Sequence, residues 1–373
     1  MKKLNIAIIG LGNIGSYLFK YLNDNKTILT EKNNCQPIIK YVSAKHKNRK
    51  RKIKIKKSQW LNNYLDATKI KDVDLIIELI GGSEGAAKKL VFNALKNKKH
   101  VVTANKALIA KYGDQLSQIA EKNKVNLEFE ASVCGGVPII RSLKEGLIAN
   151  KILKIYGIFH GTSNYILSSM EKENKSFKEV LSKAKTLGYA EANPSADLNG
   201  DDVSSKLKIL SSLCFNSFLN NNIYVEGIKD IDKTDIDNAN KLGYKIKLLG
   251  FAEVLNNKIY QRVHPTLIKK NSYAASIDGV LNAVIVEGKP VGQSIIQGEG
   301  AGPAATTSAL VSDISSILRG NIKFPFSISS KRRKNIKFEK IDQRAFSAYL
   351  RFEVIDKPGV LSDITNIFSK NKV

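Results

Sequence analysis

The N-terminal third of the chain alternates mostly apolar runs, typical of strands, with helical patterns of apolar positions. Leu4–Ile9 predicts a short buried strand, and Tyr17, Leu18, Tyr21 and Leu22 then fall on one face of a predicted helix. Further patterns predict strands at Ile38–Ser43, Val73–Ile80, His100–Thr103, Lys247–Leu255, Lys258–His264 and Ala283–Gly288, and helices at Ser204–Phe218 and Ala304–Arg319. We therefore expect an α/β chain, with a Rossmann-type doubly wound parallel sheet first and an α+β domain after it.

A glycine-rich turn joins the first predicted strand to the first predicted helix. The turn reads GLGNIG at residues 10–15. Gly10 allows the tight turn, Gly12 lets the backbone approach a pyrophosphate, and Gly15 lets helix and strand pack closely. The helix N-terminus, at Asn13 and Ile14, would face the phosphates. This strand-to-helix context predicts a dinucleotide-binding site with these five residues as cofactor contacts.

The second predicted strand should end beside the adenosine ribose of that dinucleotide. Sites that prefer NAD usually place an acidic residue there, but Ile38–Ser43 is followed by a basic run that opens with Lys45. Lys45, helped by Lys47 or Arg49, could pair with a 2′-phosphate, which favours NADP. The alternative is that most of these residues only decorate a surface loop.

Composition narrows the class of protein but says little about its function. The 373 residues, 43% hydrophobic and 25% charged, suit about two or three globular domains. The formal charge of +26 comes mainly from lysine spread along the chain, whereas phosphate-recognition surfaces enrich arginine, so we predict no nucleic-acid partner. No segment is apolar enough for a transmembrane helix, so we predict no membrane partner. Cys35, Cys134 and Cys214 lack metal-site spacing and favour the reducing cytoplasm.

The stretch 188–206 contains four acidic residues and ends at Lys206. On a helix that begins near Asp202, this carboxylate and Lys206 lie one turn apart, beside an apolar stripe. Burial would push the lysine toward neutrality, while the carboxylate favours its charged form. A lysine in that balance could deliver a proton to an alkoxide as hydride reaches the carbonyl carbon. The alternative is a surface ion pair worth about 0.3–0.5 kcal/mol.

Two more candidates follow predicted strands. Lys106 comes just after His100–Thr103, so it would lie at the carboxyl edge of the sheet, near the nicotinamide or the reacting carbonyl. An exposed loop lysine fits that spacing equally. Glu130 precedes a glycine turn whose carbonyls, together with its carboxylate, could hold a hard monovalent cation. An ordinary strand-to-helix loop is the alternative there.

These stretches together resemble the homoserine dehydrogenase family. The segment from Ala184 to Lys206 matches the family signature at every defined position. The resemblance extends over essentially the whole chain through GLGNIG at residues 10–15, ELIGG at 78–82, TANKALIA at 103–110, EASVCGGVPII at 130–140, HGTSNYIL at 160–167 and QGEGAGPAAT at 297–306.

The resemblance implies reversible, NAD(P)H-dependent reduction of L-aspartate 4-semialdehyde to L-homoserine, on the route to threonine, methionine and isoleucine. NADP is the expected cofactor preference, with NAD as the other candidate. Lys206 falls on the proton donor, and Lys106 on a second lysine at the reacting carbonyl and cofactor. Glu191 and Asp202 fall on substrate-binding carboxylates, with Asp197 nearby in support.

Other matched positions imply further ligand contacts. Gly188 and Gly302 fall on glycines that contact the cofactor. Four residues fall on the sodium site of the family, the last three through main-chain oxygen: Glu130, Val133, Gly135 and Val137. The chain departs from the family at Cys134, where a small residue is common, and at His160, where Asn is common.

The resemblance also implies a domain organisation. We expect an NAD(P)-binding domain at 1–130, completed by about 304–328, and a substrate-binding, catalytic and dimerisation domain at 131–303. A linker at 329–345 would lead to the start of an ACT domain at 346–373, with a strand at Phe346–Val354 and a helix at Val360–Phe368. Because ACT modules have a βαββαβ order, about twice this length, we expect the sequence to be truncated there. The complete protein would bind an amino-acid effector, threonine, and form a homodimer or homotetramer.

Overall fold

The computed structural model describes residues 2–191, 193–220 and 222–372. Contacts between residues divide the chain into a large unit that ends at Gln343 and a short unit that begins at Arg344. Every described strand, and every described helix but the last, lies in the large unit. No helix in these ranges is long and apolar enough to cross a lipid bilayer.

The described elements follow in chain order. The strands are β1 (Lys2–Ile9), β2 (Cys35–Ser43), β3 (Leu75–Glu78), β4 (His100–Thr103), β5 (Leu127–Glu128), β6 (Lys151–Ile158), β7 (Tyr224–Val225), β8 (Tyr244–Leu255), β9 (Lys258–Lys269), β10 (Leu281–Lys289), β11 (Gly292–Glu299) and β12 (Lys337–Glu339). The α-helices are α1 (Asn13–Asp24), α2 (Lys26–Asn33), α3 (Ala86–Lys96), α4 (Lys106–Asn123), α5 (Ile139–Arg141), α6 (Gly161–Glu173), α7 (Phe177–Thr186), α8 (Ser195–Leu198), α9 (Asp201–Phe215), α10 (Lys233–Lys241), α11 (Pro303–Leu318) and α12 (Val360–Lys370).

The first sheet is parallel, with the strand order β2-β1-β3-β4-β5, which confirms the predicted fold class. The chain leaves β1 toward β2 on one side and returns to β3 on the other. Ligands of open parallel sheets bind at such a reversal, beyond the carboxyl ends of the strands. Leu310 and Ile314 of α11 share a buried cluster with Leu18 and Leu22 of α1, so the chain returns to this sheet after the second one.

The second sheet is mixed, with the order β11-β10-β6-β8-β9-β12, and β7 pairs with β9. Helix α9 packs against β6 and β8. A Cβ on Gly250 of β8 would lie 2.6 Å from the ring of Phe159, so only glycine leaves room for this fully buried ring. Packing of this ring holds in place the backbone that follows β6.

Helix α9 ends earlier than predicted and begins close to Asp202, as the charged stretch predicts, although the apolar pattern alone places its start at Ser204. We predicted Ser204–Phe218 from the apolar pattern, but the helix spans Asp201–Phe215. It starts earlier because Gly200 adopts φ +87°, and because two carboxylates in its first turn favour the positive end of the helix dipole. It ends earlier because Asn216 adopts a left-handed conformation.

The segment 329–345, predicted as a linker, is partly built into the large unit. Arg333 is buried, its Nη1 lies 2.6 Å from Oδ1 of Asp114, and its guanidinium stacks over the ring of Phe326. Residues 337–339 form β12 beside β9. The predicted linker therefore contains a buried arginine, Arg333, whose charge is compensated by Asp114 of α4.

The short unit contains α12, which lies where a helix was predicted, but the strand predicted at Phe346–Val354 is not formed. An alternating pattern forms a strand only when another strand supplies hydrogen bonds, and no strand among the described residues pairs with this segment. Within the unit, the rings of Phe352 and Phe368 lie 6.0 Å apart. The predicted ACT architecture is therefore not confirmed.

We expect Gly15→Ala to destabilise the first sheet and its helix. A Cβ on residue 15 would lie 2.0 Å from the carbonyl oxygen of Gly10, so the backbone would have to move. Overpacking of this kind costs about 1–3 kcal/mol, which urea titration should detect as a lower free energy of unfolding. Gly12→Ala is the matched control, because a Cβ there would meet no atom within 4 Å. Equal losses in both variants would contradict this prediction.

Candidate active site

The carboxylate of Asp202, in the first turn of α9, pairs with two lysines. Its Oδ2 lies 2.7 Å from Nζ of Lys206, one turn along the helix, and its Oδ1 lies 2.8 Å from Nζ of Lys106, at the start of α4. Asp202 and Lys206 are each 7% exposed, whereas the side chain of Lys106 is 42% exposed. The structure thus brings together three predicted site residues, with one lysine deep in the protein and the other at its surface.

Opposing influences act on the pKa values of this cluster. Burial alone would lower the pKa of Lys206, but the charge and contact of Asp202 together with the influence of Cys134 and Asp197 outweigh burial, so the pKa rises above its ordinary value of 10.5. Burial alone would raise the pKa of Asp202, but Lys206, His160 and Lys106 outweigh it, so the pKa falls well below its ordinary value of 3.8. Both groups are therefore charged at neutral pH.

A backbone carbonyl completes the surroundings of the deep lysine. Nζ of Lys206 donates to the carbonyl oxygen of Phe159 at 2.6 Å, and Nδ2 of the fully buried Asn282 donates to the same oxygen at 3.0 Å. The ammonium group of Lys206 thus has two polar contacts among the described residues, the carbonyl oxygen of Phe159 and the carboxylate of Asp202, and it can donate three hydrogen bonds. Sequence reasoning missed this carbonyl, because main-chain atoms leave no signature in side-chain identity.

A buried hydrogen-bond network places Lys106 at the start of α4. Asn105 caps the helix by accepting from the amide of Leu108 at 3.1 Å, and its Nδ2 donates to the carbonyl oxygen of Gly82 at 2.7 Å. Thr103 accepts from the amide of Asn105 and donates to the carboxylate of Glu78. We had not singled out Glu78, although the ELIGG and TANKALIA motifs contain this network.

His160 and Asp197 lie beside the ion-pair cluster. Nε2 of His160 is 3.3 Å from Oδ1 of Asp197, and one ligand atom from each of His160, Asp197 and Asp202 fits within 4.8 Å. His160 also caps α6, because its Nδ1 accepts from the amide of Ser163 at 3.3 Å. Asp197 therefore lies beside the predicted carboxylate and lysines and contacts His160, a histidine for which the sequence predicts no role.

The loop 188–194 carries two more predicted residues. Gly188 adopts φ +74° with open space around it, which a cofactor contact requires, and Glu191 is exposed. Among the described residues, Glu191 forms no ion pair with Lys106 or Lys206. The loop also includes Ala192, which lies outside the described residues.

The glycine turn borders a cavity of about 530 Å³ at the carboxyl ends of β1 and β2. Gly10 and Gly12 line it, as do Lys45 and Arg49 from the basic run. The volume suits part of a dinucleotide. A Cβ on Gly12 would meet no atom, so the backbone there is open to a pyrophosphate. A Cβ on Gly10 or Gly15 would collide with backbone atoms, which fits their predicted roles in the tight turn and in close packing of helix and strand.

Arg51 ties the basic run to the glycine turn. Its Nε donates to the carbonyl oxygen of Leu11 at 3.0 Å, its other nitrogens donate to carbonyl oxygens of the run itself, and its guanidinium lies over the ring of Trp60. Nζ of Lys47 donates to Asn62 at 3.2 Å. Arg51 lines the same cavity as Lys45 and Arg49, but its guanidinium nitrogens already donate to backbone carbonyls, and Lys47 is tied to Asn62.

The start of α11 reaches the other side of the glycine turn. Pro303 lines a cavity of about 440 Å³ together with Gly12 and Asn13, and the preceding Gly302 adopts φ +104° with no atom near its missing Cβ. The predicted contact of Gly302 with the cofactor is compatible with this position.

The predicted cation turn is buried, and the carboxylate of Glu130 is already used. Its two oxygens accept from the amides of Ile140 and Arg141 at 2.9 and 2.6 Å. Burial raises the pKa of Glu130 to about 7. The fit to a cation therefore rests on main-chain oxygens of the turn, in which Gly135 adopts φ +49° and packs against the backbone of Gly300.

We expect Asp202→Asn to destabilise the fold by leaving Lys206 buried without an anion. Breaking a buried ion pair costs about 3–5 kcal/mol. The lowered pKa of Asp202 gives stability that is present above pH 3.8 and is lost as pH falls through the folded pKa. The raised pKa of Lys206 gives stability that is present below pH 10.5 and is lost as pH rises through the folded pKa.

The difference in free energy of unfolding between wild type and Asp202→Asn should therefore be largest between these two pH values. Urea titrations at several pH values would measure it, with Asp201→Asn, an exposed residue of the same turn, as the control. A difference that does not change with pH would contradict the assignment.

Comparisons with protein families and with known proteins find homoserine dehydrogenases. Residues 10–130 match the family model for the homoserine dehydrogenase NAD binding domain, and residues 138–315 match the model for homoserine dehydrogenase. The homoserine dehydrogenase of Neisseria gonorrhoeae is 39% identical, with 100% of this chain and 87% of the relative covered. That of Bacillus subtilis is 38% identical, with 100% and 86% covered.

Solved structures of homoserine dehydrogenases are also similar to this chain. A homoserine dehydrogenase from Thiobacillus denitrificans has a TM-score of 0.90 at 36% identity, covering 99% of this chain and 87% of that chain. A hyperthermophilic archaeal homoserine dehydrogenase in complex with NADPH shares the fold, with a TM-score of 0.72 at 24% identity over 84% of this chain and 97% of that chain. The chain belongs to the homoserine dehydrogenase family.

Proposed function

We propose that the protein reduces L-aspartate 4-semialdehyde to L-homoserine reversibly, with hydride supplied by NADPH or NADH. The observation that carries the proposal is the pair of lysines on opposite oxygens of one buried carboxylate. Developing negative charge on a carbonyl oxygen is stabilised best by cationic donors that are already oriented. Family membership supplies the substrate.

Lys206 is the proton donor in this proposal. A bound nicotinamide supplies the hydride to the aldehyde carbon, and the proton moves from Nζ of Lys206 to the former carbonyl oxygen. The N–H that Phe159 and Asp202 leave free is available for that oxygen. Lys206 is then a neutral amine, and a proton from solvent restores its ammonium form.

The neighbouring charged groups orient the substrate. Lys106 is half-exposed, so it can reach the reacting carbonyl and the cofactor from the surface of the cleft. The carboxylates of Glu191, Asp197 and Asp202 suit the ammonium group of the substrate, with Asp202 also holding both lysines. Gly188 and Gly302 leave backbone exposed for cofactor contacts.

The preference for NADP rests on Lys45 and Arg49. Both line the cavity beside the glycine turn, and no acidic residue is among the described side chains that line it. A pair of cations suits a 2′-phosphate, whereas NAD-preferring sites use an acid for the ribose hydroxyl. The archaeal family member solved with NADPH agrees with this preference.

We further propose that sodium binds the turn 130–137 at Glu130 and at the main-chain oxygens of Val133, Gly135 and Val137. Oxygen ligands suit a hard cation, and the carboxylate of Glu130 is held by backbone amides. Three buried free thiols support the cytoplasmic location. The homodimer or homotetramer, and the binding of threonine at a complete ACT domain, stay predictions.

We expect Lys206→Met to lower kcat for aspartate semialdehyde reduction by roughly 10²–10⁴-fold, because the proton donor is lost. The KM for NADPH should change little. The rate is measured by the loss of NADPH absorbance, and NADPH binding by fluorescence. Lys208→Met, on the same helix, is the control for folding. A variant that keeps wild-type turnover would exclude Lys206 as the donor.

We expect Lys45→Glu to raise the KM for NADPH roughly tenfold or more, because it replaces a cation with an acid near the 2′-phosphate. The KM for NADH should stay the same or fall. Lys54→Glu makes the same charge change in the basic run away from the cavity and should shift neither constant. Parallel changes in both constants would contradict a role at the 2′-phosphate.

A further inference from the structure

The basic run that follows β2 folds around one guanidinium group, that of Arg51. Its Nη1 donates to the carbonyl oxygens of Lys47 and Arg49 at 3.0 and 2.9 Å, and its Nη2 donates to that of His46 at 2.8 Å. The amide of Arg49 also donates to the carbonyl oxygen of His46, at 3.3 Å, which closes a turn over 46–49. Three carbonyls of this turn therefore point at Arg51, while the turn itself is exposed.

Arg51 also fixes this turn to the first sheet at two points. Its Nε donates to the carbonyl oxygen of Leu11, in the glycine turn, at 3.0 Å, and its guanidinium lies 5.5 Å from the ring centre of Trp60. Trp60 is itself bridged to Val42 of β2. The hydroxyl of Ser16 donates to the same Leu11 oxygen at 3.4 Å, so the glycine turn does not depend on Arg51 alone. Four of the five N–H bonds of the guanidinium are thus used by main-chain oxygens.

The turn held in this way carries the two cations that the proposed function assigns to the 2′-phosphate. Arg49 lies within the turn, Lys45 directly precedes it, and both line the cavity beside the glycine turn. Their side chains have many rotatable bonds, and their like charges repel each other. Bringing both to one anion costs less when the backbone that carries them is already fixed, and this lower cost appears as affinity.

We propose that Arg51 is a positioning residue for NADPH selectivity: it holds the turn 46–49 so that Lys45 and Arg49 meet the 2′-phosphate. This inference rests on the proposed function, in which those two cations contact that phosphate. The planar fork of Arg51 is needed for this role, and its charge alone is not enough. A lysine in its place would keep the charge but has three donors on one nitrogen, against the four hydrogen bonds that Arg51 makes.

Adenosine 2′,5′-bisphosphate and adenosine 5′-monophosphate differ only in the 2′-phosphate, so their affinities isolate this contact without a nicotinamide or a reaction. We expect Arg51→Lys to weaken binding of the bisphosphate roughly tenfold and to leave that of the monophosphate within about twofold of wild type, measured by calorimetry. Arg51→Met should lose a similar factor, because both variants lack the fork. Lys54→Met, at an exposed position of the same basic segment, should bind both nucleotides like wild type.

The outcomes separate this inference from its alternatives. Wild-type affinity for the bisphosphate in Arg51→Lys, with a loss only in Arg51→Met, would overturn the proposal, because the charge of Arg51 would then be sufficient. Equal losses for both nucleotides would also overturn it, because Arg51 would then support the glycine turn and not the phosphate contacts. Wild-type protein that binds the two nucleotides equally would overturn the proposed NADPH preference and this inference with it. Absence of aspartate semialdehyde turnover would overturn only the proposed substrate, because these measurements need no reaction.

A double-substitution cycle tests whether Arg51 acts through Lys45. Lys45→Met should weaken bisphosphate binding in the wild-type background and much less when it is added to Arg51→Met. The same loss in both backgrounds would show that the two residues act independently and would overturn the proposal.

The single tryptophan of the chain tests the geometry without a ligand. The guanidinium of Arg51 lies over the ring of Trp60, with Nζ of Lys47 5.8 Å from the ring centre. We expect acrylamide to quench the emission of Trp60 more strongly in Arg51→Ala than in wild type or Lys54→Ala, because the ring loses its cover. Equal quenching in all three proteins would overturn the arrangement on which the proposal depends.

Discussion

The buried carboxylate of Asp202 is the constraint on which the rest of the site depends. A carboxylate this deep is unfavourable unless cations compensate it, and here the cations come from two parts of the chain. Lys106 is the first residue of α4, which follows strand β4 of the parallel sheet. Lys206 lies on α9, which packs on the mixed sheet. The same ion pairs therefore join the nucleotide-binding half to the catalytic half and place their chemistry at the junction.

The groups around Asp202 are held mainly by backbone atoms and small residues. The carbonyl of Phe159 fixes the ammonium group of Lys206, and Gly250 leaves the space that keeps the Phe159 ring in place. Asn105 fixes the start of α4 and hence Lys106. Sites on rigid elements lose less by misorientation, which matters when a proton donor and a hydride donor must meet one carbonyl.

The sequence predicts what local patterns encode. The glycine turn and its strand lie within one short stretch, and the i,i+4 spacing puts Asp202 and Lys206 on one helix face. The contact of His160 with Asp197 is not predictable in this way, because it joins distant residues through helix α6. A segment rich in basic residues, such as the one that contains Arg333, is typical of a solvated loop. In the structure, however, Arg333 is buried and pairs with Asp114. The alternation of apolar and polar residues in 346–354 indicates a strand, but the pattern does not show which strand would pair with it.

With Lys206 as the proposed proton donor, its charge state affects the rates of the two directions of the reaction differently. Asp202 raises the pKa of Lys206, so the group begins a cycle as an ammonium ion, which is the form needed to give a proton to an alkoxide. Oxidation of the alcohol needs the neutral amine to accept a proton, and the same carboxylate opposes that form. The carboxylate that makes burial of the lysine tolerable therefore also favours reduction of the aldehyde near neutral pH.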